Sequence, residues 1–331
     1  MEQIDIGRIR GLQELSNQDG LMTVLALDQR GSLIKALGIQ KNDPDLYQAV
    51  RTFKLEVTEY LLPHCSAVLL DPEYSAAEAI SAGLISGQKG LVVATEESGY
   101  IENPDGRENR VIPNWSLAKA KRMGASAAKL LSYYNPNIHK PSKIQEEFIL
   151  KLVKQAKSLD LPLLLEPMSY SNNASMPKNS AEFAKLRPEI VLNTAKRLGA
   201  LGVDLLKLEF PCDVNFETDV SVWKSSCAAI TEAAPVPWLL LSAGVDFPVF
   251  KEQLRVACQA GASGFVAGRA IWKESTALTG SKRTEFLKTT AVDRVKELVE
   301  IVDNFSDPWT KNYRDLMPVI DKDWHSTYVE F

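Results

Sequence analysis

The chain has 331 residues, 45% of them hydrophobic and 24% charged, the composition of a globular protein with room for one large α/β barrel or two ordinary domains. Its 38 Lys and Arg against 42 Asp and Glu leave a formal charge of −4, so there is no general positive field to hold nucleic acid or an anionic membrane, while a local basic pocket stays possible. Only three histidines (His64, His139, His325) and four cysteines (Cys65, Cys212, Cys227, Cys258) occur, with no CxxC or HxxxH spacing, which argues against a dedicated zinc or redox site.

The N-terminus lacks an apolar core of signal-peptide type, and no segment approaches 18 uninterrupted apolar residues; neither a leader nor a membrane span is expected. A helix is predicted over about residues 6–17. Eight short apolar runs then follow, each a strand candidate: Leu21–Leu27, Ala67–Leu70, Leu91–Thr95, Ala125–Leu131, Pro162–Leu165, Val203–Leu208, Val236–Leu241 and Ser263–Ala267. Helical spacing fills the intervals, as in Ile144–Leu159 and in Pro188–Leu198, which stops at Gly199 as at a C-terminal cap. The strand ends recur at roughly 25–43 residues, a βαβ cadence, and eight such units need about 250 residues, the size of a (β/α)8 barrel. A doubly wound sheet would want a glycine-rich phosphate loop after an early strand, but the first strand runs into Asp28-Gln29-Arg30-Gly31. The expected organisation is therefore one domain, a TIM barrel over about residues 20–273, with an extension from 274 to 331 whose aromatic residues Trp309, Tyr313, Trp324 and Tyr328 pack on the barrel or across a subunit boundary.

In such a barrel the residues at the C-terminal strand ends converge on one mouth. Here they include Asp28, Asp71 with Glu73, Glu96 with Glu97, Lys129, Glu166, Lys207 with Glu209, Ser242 and Arg269. Lys129 and Lys207 lie inside apolar strands, where an ammonium group must be paired or lose its proton. If Leu206 and Leu208 meet the helices, Lys207 and Glu209 face the interior. A lysine beside a second cation favours its neutral amine, a nucleophile toward carbonyls; the competing reading is a plain interior ion pair, Lys207 with Glu209 or Lys129 with Glu166. Ser242-Ala243-Gly244 after the seventh strand and Gly268-Arg269 after the eighth form a candidate phosphate site.

The parts imply a carbonyl substrate anchored by phosphate and attacked by a lysine, with the protonated Schiff base as electron sink for C–C cleavage and no metal or cofactor. Glu166, reached along an apolar strand, is assigned general acid/base or the role of positioning Lys129. Asp28 and Gln29 are candidates for substrate hydroxyls and Arg30 for a second anion, while Glu96 and Asp71 are read as buried network members. The histidines and the paired Tyr133 and Tyr134 are given packing or loop roles.

The motifs ALDQRGSL, LLDPEYSAAEA, ATEESGY, GASAAKLLSYY, LLLEPMSY, EFAKLRP, DLLKLEFP, LSAGVD and GRAIW, in this order over about residues 20–273, resemble the class I tagatose 1,6-bisphosphate aldolase family. The resemblance implies a (β/α)8 fold, a Schiff-base lysine at Lys207, an active-site lysine at Lys129, an acid/base glutamate at Glu166 and an aspartate at Asp28. It also implies phosphate binding at Ser242, Gly244, Gly268 and Arg269, and cleavage of D-tagatose 1,6-bisphosphate to dihydroxyacetone phosphate and glyceraldehyde 3-phosphate. The stretch PWLLLSAGVD…AGASGFVAGRAIW is also similar to the sister family that cleaves 6-deoxy-6-sulfofructose 1-phosphate. A sulfosugar phosphate, a broader range of ketohexose bisphosphates, or a non-catalytic phosphosugar sensor thus stand as alternatives. The expected setting is a cytoplasmic homo-oligomer acting on a small phosphorylated sugar.

Overall fold

The computed structural model describes residues 3–103 and 106–328. In chain order the strands are β1 (Met22–Ala26), β2 (Ala67–Leu70), β3 (Gly90–Ala94), β4 (Ile101–Asn103), β5 (Gly106–Glu108), β6 (Ala127–Tyr133), β7 (Leu163–Met168), β8 (Leu205–Leu208), β9 (Trp238–Leu241) and β10 (Gly264–Ala267). Eight of them close a parallel barrel in the order β1, β2, β3, β6, β7, β8, β9, β10, and β4 pairs with β5 as a separate antiparallel ribbon. Each predicted apolar run overlaps one barrel strand. The ribbon is an insertion after the third barrel strand, and its short polar strands carry no period that sequence can reveal.

Alternation decides what each barrel strand shows to either side. Met22, Val24, Ala26, Leu69, Val92, Ala127, Leu164, Leu205, Leu239 and Val266 belong to one apolar cluster inside the barrel. The intervening residues, among them Leu25, Val68, Leu130, Leu165, Leu206, Leu208 and Leu240, join a second cluster with the surrounding helices. Both faces are covered, which is why the strands read as continuous apolar runs. Closure brings β10 so near β1 that a Cβ on Gly264, at φ +133°, would lie 1.8 Å from the Met22 carbonyl oxygen; only glycine fits there.

The N-terminal helix Ile6–Leu15 closes the end of the barrel opposite the mouth. Arg8 donates through Nε to the buried Asp204 at 2.9 Å, and the Tyr313 hydroxyl donates to the Asp204 carbonyl at 2.9 Å. Trp309 packs in the same plug and donates through Nε1 to Ser16 Oγ at 3.2 Å. Residues 307–328 of the extension therefore pack on the bottom of the barrel, where Tyr328 is hydrogen-bonded to Asp160 just before β7, while helix Val292–Phe305 packs against helix Phe247–Gln259 on the barrel's side.

One helix boundary differs from expectation. The helix read as starting at Pro188 begins at Ala181, capped by Ser180 Oγ, which accepts from Phe183 N at 3.2 Å. Pro188 sits inside it. A helix-interior proline removes one hydrogen bond, and the burial of Phe183, Ile190, Val191 and Leu198 on the same helix holds the helix across that position.

Candidate active site

The interior alternation continues one step beyond the apolar layer, and there the side chains become charged. Lys129 follows Ala127 on β6, Glu166 follows Leu164 on β7, Lys207 follows Leu205 on β8, and Asp28 follows Ala26 beyond β1. All four are buried and line one cavity of about 340 Å³ together with Gln29, Arg30, Glu96, Tyr133, Met168 and Arg269.

Lys129 Nζ lies 2.8 Å from Asp28 Oδ2, 2.6 Å from Glu96 Oε1 and 2.8 Å from Glu166 Oε2. Burial alone would drive off its proton, but Asp28, Glu166 and Glu96 together outweigh that and hold its pKa well above the ordinary lysine value. Burial likewise opposes the Asp28 carboxylate, and Lys129 and Lys207 overcome it, keeping Asp28 below the usual carboxylate range. Among the described residues Lys207 makes one ion pair, 2.9 Å from the same Glu166 Oε2 that touches Lys129. Glu166 thus bridges the two lysines. Its expected apolar surroundings are not found, since the strand delivers its carboxylate between two lysine side chains.

Glu209 departs from the expected inward pairing with Lys207. β8 ends at Leu208, the alternation stops, and Glu209 instead accepts from Ser169 N at 2.8 Å, Ser169 Oγ at 2.6 Å and Lys178 Nζ at 2.5 Å. Burial opposes its charge, but Lys178 and Arg187 lower its pKa. Arg30, expected to receive a second anion, is already engaged: it reaches Glu73 Oε2 at 2.5 Å and the Glu96 carbonyl at 2.6 Å. Its Nε, together with Asp28 Oδ1 and Gln29 Oε1, is buried without a hydrogen-bond partner. Unsatisfied donors and acceptors on one cavity wall fit a polyhydroxylated ligand that would complete them.

Two strands round the barrel from β1, Ser242 is buried at the end of β9, and Ala243 and Gly244 take left-handed φ values of +49° and +83°. A Cβ on Gly244 would stand 3.2 Å from the Arg269 guanidinium carbon, so the turn and the arginine are in contact. A Cβ on Gly268 would come within 2.2 Å of the Ala26 carbonyl oxygen. Arg269 has no carboxylate partner among the described residues. The residues expected to bind phosphate therefore meet as one cradle, with a guanidinium that retains its charge for a ligand.

Sequence reasoning underrated Glu96, which also accepts from Leu131 N at 3.0 Å and so fixes the strand that carries Lys129. It missed Lys54 altogether. This lysine is fully buried against Asp71, and the available signal was its place between Val50, Phe53 and Val57 on the apolar stripe of helix Leu46–Leu61. Asp71, as expected, is a network residue: its Oδ1 accepts from Glu73 N at 3.0 Å and Tyr74 N at 2.8 Å. None of the three histidines lines the cavity, and all four cysteines are buried and free, with burial pushing the thiols of Cys65 and Cys258 up to about 12.

Comparison with known proteins gives the chain its relatives. Residues 22–274 match the DeoC/LacD family aldolase profile. The tagatose 1,6-diphosphate aldolase of Staphylococcus haemolyticus is 33% identical over 322 residues, 91% of this chain and 97% of that protein. Its namesake from Listeria monocytogenes serotype 4a is 32% identical over 335 residues, 95% and 96% of the two chains. Among solved structures, fructose-bisphosphate aldolase from Plasmodium falciparum superposes with a TM-score of 0.67 at 15% identity, covering 92% of this chain and 98% of that one. The fructose-bisphosphate aldolase of Slackia heliotrinireducens gives 0.64 at 15% identity, covering 91% of each. The structural likenesses carry the barrel fold, and the sequence matches carry the kinship: the chain belongs to the DeoC/LacD aldolase family.

Proposed function

We propose that the chain is a Schiff-base aldolase that cleaves D-tagatose 1,6-bisphosphate to dihydroxyacetone phosphate and glyceraldehyde 3-phosphate. The observation that carries this reading is the shared Glu166 oxygen, within 2.9 Å of Lys207 and 2.8 Å of Lys129, at the mouth of a barrel whose curated relatives bear that name.

Lys129 is held as the ammonium by three carboxylates, leaving Lys207 as the nucleophile. Glu166 is the base within reach of its departing proton. The free amine attacks the ketone carbon, a C–N bond forms and water leaves, giving a protonated imine. Removal of the C4 hydroxyl proton, assigned to Glu166, breaks the C3–C4 bond. Its electron pair passes to the iminium nitrogen as an enamine, and the aldehyde departs. Protonation at C3 and hydrolysis then release dihydroxyacetone phosphate and restore the amine. The cradle of Ser242, Ala243, Gly244, Gly268 and Arg269 is assigned the C1 phosphate, and Asp28 and Gln29 the hydroxyls. Phosphorylated sugars do not cross bilayers unaided, so this reading carries a cytoplasmic setting.

Borohydride reduction in the presence of dihydroxyacetone phosphate tests the assignment. The wild type should gain the mass of one reduced triose phosphate at Lys207, and Lys207→Ala should gain none. An unlabelled wild type, or labelling at another lysine, would overturn it.

A further inference from the structure

Arg30 and Arg269 follow adjacent strands, β1 and β10, yet they point apart. Arg269 lies against Gly244 beyond β9, whereas Arg30 reaches across to Glu73 beyond β2 and Glu96 beyond β3. The cavity thus has one guanidinium at each end, and among the described residues that of Arg269 is without a carboxylate partner. The two Arg30 partners differ in kind. Glu96 is buried and also bonded to Lys129. The Glu73 side chain is 44% exposed while that of Arg30 is 6% exposed, and Glu73 stands on a turn held through its backbone by Asp71. A carboxylate that can retreat into water is therefore placed on a guanidinium that cannot.

We propose that Glu73 is a specificity-determining residue, a displaceable counter-ion that makes the Arg30 end of the cavity select a dianionic phosphate over a monoanionic sulfonate. The inference rests on the aldolase reading above and deepens it at the aldehyde end of the substrate. A phosphate monoester carries a charge of about −1.5 to −2 at neutral pH. When it takes the place of Glu73, the guanidinium and its orphaned Nε gain more opposing charge than they give up. A sulfonate brings a single charge, so it replaces one monoanion by another and still bears the cost of its own desolvation. With an uncharged residue at 73 that competition vanishes, and a monoanion becomes an adequate partner for a buried guanidinium.

The test compares kcat/KM for D-tagatose 1,6-bisphosphate and for the 1-phosphate ketohexose bearing a C6 sulfonate, using the full chain and its Glu73→Gln and Glu73→Ala variants. The wild type should prefer the bisphosphate, and both variants should shrink the preference by on the order of tenfold, mainly through a lower KM for the sulfonate. General damage to the site would lower both substrates together and leave their ratio in place. Trapping by dihydroxyacetone phosphate, which lacks the distal anion, separates the two levels of the argument. A wild type that is trapped but whose ratio is the same in the variants overturns the role of Glu73 alone, and one that is trapped but cleaves neither sugar overturns the tagatose bisphosphate assignment together with that role. A wild type that is not trapped overturns the aldolase reading and this inference with it.

Discussion

Lys129→Met is the sharpest probe of the buried charge cluster, because it removes one cation and leaves Asp28, Glu96 and Glu166 without their shared partner. Breaking a buried pair from one side typically costs about 3–5 kcal/mol, since the remaining charge is left desolvated. A chain of this length unfolds with an entropy of ~0.7 kcal/mol per degree, from about 2.1 cal/mol/K per residue, so the melting temperature should fall by about 4–7 °C. The pH dependence gives the signature. In the wild type the lowered pKa of Asp28 contributes stability that is present above the ordinary aspartate value of about 3.9 and is lost as pH falls below it. The raised pKa of Lys129 contributes stability present below the ordinary lysine value of about 10.4 and lost only when pH rises through its higher folded value. In the variant burial acts on Asp28 with one lysine fewer to oppose it, so the folded state gains affinity for a proton. The deficit against wild type should therefore narrow between pH 8 and pH 5. Calorimetric scans at a fixed rate across that range measure it. A loss under about 1 °C, or a deficit that stays level with pH, would refute the claim that Lys129 neutralises this cluster.

Other tests address the donor set and the plug. Asp28, Glu96 and Glu166 are all spent on Lys129, so cleavage should survive exhaustive treatment with EDTA. Activity lost to the chelator and restored by zinc would replace lysine chemistry with metal chemistry. Trp309→Ala should lower the melting temperature by about 4–7 °C, the equivalent of about 3–5 kcal/mol for a buried tryptophan, with KM for the sugar bisphosphate at the wild-type value, because Trp309 lies at the opposite end of the barrel from the cavity. A raised KM would show that the plug and the mouth are coupled.

The barrel was legible because parallel strands buried on both faces appear as apolar runs, and helices between them restore the 3.6 period. Lys129, Glu166 and Lys207 stood out because each interrupts such a run, and a charge inside an apolar strand needs a reason. Their pairing was legible only in part: Lys129 with Glu166 was among the readings and is present, whereas Lys129 with Glu96 and Lys207 with Glu166 were not. Lys129 and Glu96 are 33 residues apart and Lys207 and Glu166 are 41 apart, so only closure of the barrel determines which carboxylate meets which amine. Two-residue spacing misled at Glu209, since it assumes that the strand continues and β8 ends one residue earlier. Lys54 escaped because a lysine on a helix reads as solvated unless its position on the apolar stripe is weighed, and Arg30 was read as open because its partner Glu73 follows another strand.

The arrangement also separates two demands that conflict within a single lysine. A nucleophilic amine must give up its proton, while the site must keep positive charge near the substrate's developing oxyanion and hydroxyls. Three carboxylates around Lys129 satisfy the second demand and hold that ammonium in place. Among the described residues the carboxylate paired with Lys207 is that of Glu166, through the oxygen that Lys129 also touches. In the mechanism proposed above, an iminium at Lys207 would lie beside a carboxylate already in position, and no group would have to move to receive its charge. If Glu166 takes a proton in that mechanism, Lys129 keeps Asp28 and Glu96 at 2.8 and 2.6 Å. The proposed proton transfer through Glu166 would thus leave two of the three contacts to Lys129 in place, so the strands that carry them need not rearrange as the charge moves.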